Sequence, residues 1–176
     1  MVTADGFVTG GMYGPAMRLT EAFLDRIFDE IVTFRAGSGG GDGGRGGGGD
    51  GEMDYRLFLD FVLAVESIET PQGLHYFWKL LNLSGRGLDK RTLSYFYRDV
   101  AAGLKEMDYE SAEAPDVIDE IFDMVGPADP SIITFEDLLA CKVGHTVISM
   151  LIDVEGFSVY DRREQNLHDG DDDEEN

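Results

Sequence analysis

Large apolar residues recur at helical spacing along most of this chain, and that periodicity constrains its fold more than any other feature. Each periodic stretch ends at glycine, proline or a polar turn, as short amphipathic helices do. We predict six to eight helices: at about 20–35, from 54, from 71, at 91–106, after Ala114-Pro115 and from 135, with 145–152 and 157–165 as two further short helices. Thr20 is the expected N-cap of the first helix, and Thr134 with Asp137 resembles a capping box for the sixth. The sequence therefore predicts an all-α fold.

The domain boundaries follow from composition. We expect residues 19–165 to form one helical domain between a flexible N-terminal segment, 1–18, and an acidic disordered tail, 166–176. A Gly-rich run at 37–51 interrupts this domain, and it lacks the side chains that would offset the entropy of ordering. We predict that it is a flexible insertion.

Net charge narrows the choice of partners. The chain has 14 Lys and Arg residues against 35 Asp and Glu, a formal charge of −21 that repels phosphate backbones and anionic membrane surfaces. No apolar run approaches the roughly 18 residues that span a bilayer. Cys141 is the single cysteine, which favours a reducing compartment. We therefore expect a cytoplasmic protein, with cytoskeletal or nuclear residence as alternatives, and neither nucleic acid nor membrane as partner.

Three connectors between helices carry pieces of a calcium-binding EF-hand loop. Such a loop has twelve residues, oxygen ligands at positions 1, 3, 5, 7, 9 and 12, and a glycine at 6. An apolar residue at position 8 lets two loops pair. In the first connector Met53 suits position 8, but positions 1 and 3 are Gly46 and Gly48 and position 12 is Leu57.

The second connector is a degenerate loop formed by Asn82, Ser84, Arg86 and Gly87 at positions 1, 3, 5 and 6. Arg86 puts a guanidinium where a ligand belongs, and Leu93 falls at position 12. If Leu88 takes position 8 instead, the loop is one residue short.

The third connector places Ile133 at position 8, Thr134 at 9 and Asp137 at 12. Its first three ligand positions offer no side-chain oxygen: Gly126, Ala128 and Pro130. Because affinity follows the number and charge of oxygen ligands, we expect no calcium and no other cofactor. The fold prediction is thus an EF-hand-like helix-loop-helix array with degenerate loops.

Catalytic chemistry has no candidate residues. His75, His145 and His168 are far apart and show no metal-ligand spacing, and the Gly-rich run lacks the ending of a phosphate-binding loop. We predict that the chain is not an enzyme. For protein binding, the candidates are Phe157, Tyr160 and Arg163, since aromatic and arginine side chains are typical interface anchors. The alternative is that this segment folds back on the helices as a strap.

Several sequence blocks resemble one family. They are Glu52–Tyr55, Phe58–Ala64, Tyr95–Arg98, Asp119–Val125, Leu151–Asp153, Gly156–Phe157 and Tyr160. In order and spacing these blocks resemble the C-terminal portion of the B-double-prime regulatory subunits of protein phosphatase 2A. The resemblance is to the branch with the plant TONNEAU/FASS proteins and the animal gamma-type subunit.

The resemblance implies a non-catalytic targeting subunit that binds the phosphatase scaffold and catalytic subunits. In the plant-like branch it implies organisation of cortical microtubules and positioning of the division plane, with microtubule-associated proteins as further partners. Two alternatives stay open: a calcium-responsive EF-hand sensor, and an acidic adaptor unrelated to the phosphatase.

Overall fold

The computed structural model describes residues 2–3, 17–37, 52–53 and 55–171. The Gly-rich run beyond Gly37, most of the N-terminal segment and the last five residues lie outside this part, so the predictions made for them are not tested. Eight helices lie in the described residues: α1 Glu21–Gly37, α2 Tyr55–Glu66, α3 Pro71–Leu81, α4 Lys90–Glu106, α5 Ala114–Val125, α6 Phe135–Ala140, α7 Gly144–Ile152 and α8 Val154–Asp171. The all-α prediction is confirmed.

The described residues include four strands of two residues each, which form two pairs. They are β1 Val2–Thr3, β2 Glu52–Met53, β3 Leu88–Asp89 and β4 Ile132–Ile133. β3 pairs antiparallel with β4, with Leu88 opposite Ile133, while β1 pairs with β2, with Val2 opposite Met53. The unit α3-loop-α4 is thus joined to the unit α5-loop-α6 through their loops, as two EF-hand units are. Strand pairing at Met53 agrees with its predicted place at position 8.

Local signals start most of these helices as the sequence predicts. Pro71 is in the first turn of α3, and the Thr70 side chain accepts a hydrogen bond from the N–H of Gly73. The capping box at α6 is confirmed, since Thr134 and Asp137 each bond the other's backbone N–H.

Thr20 has the predicted N-cap position of α1, since its carbonyl accepts from the N–H of Leu24, but its side chain does not cap the helix. Its hydroxyl is buried, and within the described residues it has no hydrogen-bond partner. The first turn of α1 is capped from another helix, because a carboxylate oxygen of Asp99 in α4 accepts a hydrogen bond of 2.9 Å from the N–H of Ala22. Thr20 instead donates its backbone N–H to the carbonyl of Ile152, which ties the start of α1 to the end of α7.

A continuous core fills the space between the helices. Phe23 of α1 stacks on Phe77 of α3 with ring centroids 6.0 Å apart, and Phe61 of α2 meets the edge of the same ring. α4 lies at the centre and packs against α1, α5, α7 and α8. No helix in the described ranges is both long and apolar enough to cross a bilayer.

The last two helices depart from the predicted boundaries. α8 begins at Val154 and runs to Asp171, so it is longer than the predicted 157–165 and includes the first residues of the predicted tail. Asp153 separates it from α7, where its buried carboxylate accepts N–H bonds from Arg18 and Glu155. Burial raises the pKa of Asp153 above its usual value, although these hydrogen bonds oppose the shift.

Candidate functional site

The loop between α3 and α4 is closed by its own side chains. The Asn82 side-chain oxygen accepts a hydrogen bond of 3.0 Å from the N–H of Gly87. The Ser84 hydroxyl accepts from the N–H of Arg86 at 3.2 Å and donates to the carbonyl of Gly87 at 3.3 Å. The two side chains that would be the first calcium ligands are therefore bonded to the backbone of their own loop.

The strand pairing decides the register of this loop. Leu88 lies opposite Ile133, and both side chains are fully buried, so Leu88 occupies the apolar position. Of the two registers that the sequence allows, the structure has the one that makes the loop one residue short. Gly87 has a φ of +139°, and a Cβ there would lie 2.6 Å from the carbonyl oxygen of Ile133. Only glycine fits where the two loops cross.

The loop between α5 and α6 is closed from its far end. One carboxylate oxygen of Asp137 accepts from the N–H of Thr134 at 2.9 Å and from its hydroxyl at 2.6 Å. The other oxygen accepts from the N–H of Ala128 at 3.5 Å. The hydrogen bonds from Thr134, its hydroxyl first, hold the pKa of Asp137 below its usual value. The carboxylate at position 12 is thus already hydrogen-bonded to protein donors.

Neither of the paired loops has a donor set that fits calcium. A calcium ion takes six to eight oxygen ligands, most of them carboxylate or carbonyl. Arg86 brings a positive charge to the loop between α3 and α4. The pKa of Asp89 is lowered mainly by the hydrogen bond from the N–H of Thr92, and Arg86 adds a smaller effect in the same direction. Among the described residues, no group of three or more His, Cys, Asp or Glu side chains is placed to hold a metal ion.

The predicted docking residues at the start of α8 do not share one surface. Phe157 is 1% exposed and packs on Tyr97 of α4, with ring centroids 5.3 Å apart. Its place in the core corrects the expectation that it faces a partner, and agrees with the alternative of a strap folded onto the helices. A buried ring at this position contributes to stability, typically by a few kcal/mol.

Tyr160 and Arg163 are more accessible. The Tyr160 ring is half-buried, and its hydroxyl donates a hydrogen bond of 2.5 Å to a carboxylate oxygen of Glu120 in α5. Burial first, and then Glu120, raise the pKa of this phenol well above its usual value. Arg163 lies exposed at the surface. Their role in protein binding stays a prediction.

One exposed apolar side chain in this region was missed from the sequence. Val159 is 61% exposed, and it lies one helical turn before Arg163 on α8. Residues four apart share a helix face, so these two side chains form a small surface of apolar and cationic character. The helical spacing could have indicated it. Phe157 and Arg163 are six residues apart and point in different directions, whereas Val159 and Arg163 are four apart and share a face.

The histidines are not assembled into a site. His75 lies on the surface of α3 with its ring 5.2 Å from that of Phe135, and His145 is half-buried at the start of α7. His168 lies in the last part of α8, where side chains are not described. The fold and the loops therefore define a class: an EF-hand-like helical module whose paired loops are closed by protein hydrogen bonds.

Comparison with known proteins shows which proteins the chain is similar to. No family model matches the chain. The chain is 43% identical over 147 residues to the gamma subunit of the phosphatase 2A B'' regulatory subunits from Xenopus tropicalis, and 41% identical over 153 residues to that from Homo sapiens. It is 47% identical over 150 residues to the probable B'' subunit TON2 of Arabidopsis thaliana. These matches cover 83%, 86% and 85% of the chain, but 30% of each relative.

A solved structure described as a PP2A PR70 holoenzyme, and labelled diCa, is similar in fold. Its TM-score is 0.63 at 25% identity, over 76% of this chain and 45% of that chain. The resemblance to the B-double-prime family is confirmed: over most of its length the chain is homologous to part of a B'' regulatory subunit of protein phosphatase 2A. It spans less than a third of the length of those relatives.

Proposed function

We propose that this chain acts as a non-catalytic regulatory and targeting subunit of the serine/threonine phosphatase 2A, or as part of one. The observation that carries the proposal is an identity of 41–47% to B'' subunits over more than four fifths of the chain. The relatives are named as regulatory subunits, which agrees with the prediction that the chain is not an enzyme. The partners would be the phosphatase scaffold and catalytic subunits.

The finer role follows from the plant-like branch of the family. The identity to the Arabidopsis TON2 subunit, 47%, supports a role in microtubule organisation and in positioning of the division plane. On this proposal the chain is cytoplasmic and associates with the cytoskeleton, and microtubule-associated proteins are the candidates for further partners. The strongly acidic surface would favour basic partners.

The paired loops support a role without calcium. The label diCa belongs to the related holoenzyme, whereas here Asn82, Ser84 and Asp137 are bonded to the loop backbone. We propose that these loops are structural joints between helices, and that the lobe has its working conformation in the absence of the ion. The alternative of a calcium-responsive sensor would require these oxygens to hold the ion in loops that supply few other oxygen ligands.

Affinity capture tests the proposal. The tagged chain is expected to retain the scaffold and catalytic subunits of phosphatase 2A from a cell extract. The same capture repeated with purified subunits should show that the binding is direct. A version extended to the length of the relatives is tested beside it. Recovery with the extended version alone would show that this part carries only some of the docking surface. Recovery with neither would contradict the proposal and favour the acidic adaptor.

Surface variants locate the contact. Val159→Asp and Arg163→Glu change the exposed face of α8, and we expect capture to fall several-fold, since an arginine anchor can contribute more than about 1 kcal/mol and a carboxylate in place of Val159 would be buried without a partner. Lys105→Glu is the matched control, because Lys105 is also exposed but lies on α4. Equal capture by all three variants would place the contact elsewhere.

A further inference from the structure

One stretch of this acidic chain carries the opposite charge. Residues 82–98, which form the loop after α3 and the first half of α4, include four cationic side chains and one carboxylate: Arg86, Lys90, Arg91, Arg98 and Asp89. Over the whole chain, 14 Lys and Arg residues stand against 35 Asp and Glu, a formal charge of −21. The stretch is therefore a local positive region on a strongly negative molecule.

The carboxylate and one of the cations are engaged within the chain. An oxygen of Asp89 accepts a hydrogen bond of 2.8 Å from the N–H of Thr92, so this acid caps the start of α4. Lys90 forms an ion pair with Asp119 of α5 and lies over the ring of Phe122. The three arginines, in contrast, are all exposed.

The arginines gather at the beginning of α4. The pKa of Asp89 is lowered first by its hydrogen bonds from Thr92 and further by the charges of Arg91 and Arg86, so both arginines lie close to this end of the helix. Arg91, Tyr95 and Arg98 follow at intervals of four and three residues and share one face of α4. Since Arg91 and Arg98 are two turns apart, this face presents two guanidinium groups about 10 Å apart along the helix axis.

Tyr95 lies between these two arginines and prepares one of them for binding. Its ring is 37% exposed, and the guanidinium of Arg98 lies over it, 5.5 Å from the ring centroid. A guanidinium held against a ring loses less freedom when it binds a carboxylate. The contact of Arg98 with its neighbour Asp99 is long, 3.4 Å, and the other oxygen of that carboxylate accepts from the N–H of Ala22. Arg98 is therefore able to bind a further carboxylate.

The basic strip is defined by four side chains: Arg86, Arg91, Tyr95 and Arg98. The same face of α4 continues to Ala102 and Lys105, which are both exposed. Three exposed carboxylates follow directly: Glu106, Asp108 and Glu110. The far end of this face is thus acidic, and Lys105 lies outside the basic strip although it shares the helix and the face.

We propose that the basic strip docks an acidic helix of a partner protein, one with Asp or Glu side chains seven residues apart. Contacts between helices that lie side by side repeat every seven residues, so such carboxylates would meet Arg91 and Arg98 together. An apolar side chain midway between them would pack on the ring of Tyr95. The more distant negative charges of the chain oppose this little, because the Debye length at physiological ionic strength is about 8 Å. The inference concerns this surface alone and does not depend on the phosphatase.

Binding of designed peptides to the full chain tests this assignment. The probe is a labelled, alanine-rich helical peptide with glutamates seven residues apart and a leucine midway between them. The comparison peptide has the same composition, but its glutamates are spread around the helix. In fluorescence anisotropy at physiological ionic strength, we expect the probe to bind several-fold more tightly than the comparison peptide. Its affinity should fall as salt is added, because exposed ion pairs are screened.

Charge reversal locates the site. Arg91→Glu and Arg98→Glu, each alone, should weaken binding of the probe about five-fold, because an attraction becomes a repulsion. Tyr95→Ala should weaken it less. The matched control is Lys105→Glu, the same change of charge on the same face of α4, and its affinity should equal that of the unaltered chain. Circular dichroism on each variant checks that the helical content is kept.

Four results would overturn the proposal. They are equal affinity for the two peptides, binding of neither, unchanged binding in both arginine variants, and a loss in Lys105→Glu as large as theirs. A single-stranded oligonucleotide of the same charge as the probe is the last comparison. Tighter binding of the oligonucleotide would assign the basic strip to nucleic acid and would also overturn the proposal.

Discussion

The two paired loops of this chain have the same place in the fold but are closed in different ways. In the loop after α3, side chains at its beginning turn inward, and Asn82 and Ser84 bond to the backbone around Gly87. In the loop after α5, positions 1, 3 and 5 carry no side-chain oxygen, Asp129 accepts from the N–H and hydroxyl of Ser131, and Asp137 reaches back from α6 to Thr134 and Ala128. The first loop is closed by side chains at its beginning, and the second by Asp129 within it and by Asp137 at its end.

This difference separates the shape of an EF-hand loop from its ligand. In a calcium site the ion joins the early ligands to the carboxylate at position 12. Here the first loop keeps side chains at the early positions, Asn82 and Ser84, and the second keeps the carboxylate at position 12, Asp137. In each loop these groups are hydrogen-bonded to N–H or O–H groups of the protein. The two loops are paired through Leu88 and Ile133, whose side chains are fully buried. The joint between the two units therefore depends on buried apolar side chains and not on a metal.

The largest effect is expected where the two loops touch. Gly87→Ala should destabilise the fold by about 3 kcal/mol or more, since it combines an unfavourable φ with a backbone clash. A Cβ there would meet the carbonyl oxygen of Ile133 at 2.6 Å. Chemical denaturation followed by circular dichroism gives the free energy of unfolding.

Gly85→Ala is the matched control within the same loop. Gly85 has a φ of +71°, but a Cβ there would have no atom within 4 Å. It should lose only about 1 kcal/mol, the cost of a left-handed conformation. Equal losses at the two glycines would mean that the crossing of the loops adds nothing, and that both effects come from the backbone alone.

A smaller effect should distinguish the two means of closure. Asp137→Ala removes the capping box and the bond to Ala128, and we expect a loss of about 2 kcal/mol. Asn82→Ala removes one hydrogen bond and should lose about 1 kcal/mol. Each value comes from denaturation at neutral pH. If Asn82→Ala were the more damaging, closure from the start of the loop would be the stronger device.

The order of the helices and the loop positions could be predicted from sequence because they depend on local signals. Pro71, the capping pair of Thr134 and Asp137, and helical periodicity each act within a few residues. The register of the short loop could not be decided in this way. Leu88 takes the apolar position because it pairs with Ile133, and that contact joins residues far apart in the chain.

The docking residues were harder to predict for a related reason. The cluster of aromatic and arginine residues suggested Phe157, Tyr160 and Arg163 as anchors, but a residue's side on a helix depends on what packs against it. Tyr97 takes Phe157 into the core, which leaves Val159 at the surface. The absence of a side-chain cap from Thr20 also reflects a contact between distant segments, since Asp99 of α4 accepts from the first turn of α1. Contacts between distant segments decided each of these features.

The smallest effect is expected from calcium itself, and it tests whether both loops are closed without metal. Adding millimolar calcium should shift the melting temperature by less than about 1 °C, because a ligand stabilises only in proportion to its occupancy of the folded state. The measurement is thermal unfolding with calcium, with magnesium as the control ion. A large saturable shift that Asp137→Ala abolished would show that the carboxylate exchanges its protein donors for the ion. A shift lost in Asn82→Ala alone would assign the ion to the other loop, and either result would restore the sensor as the better account of this lobe.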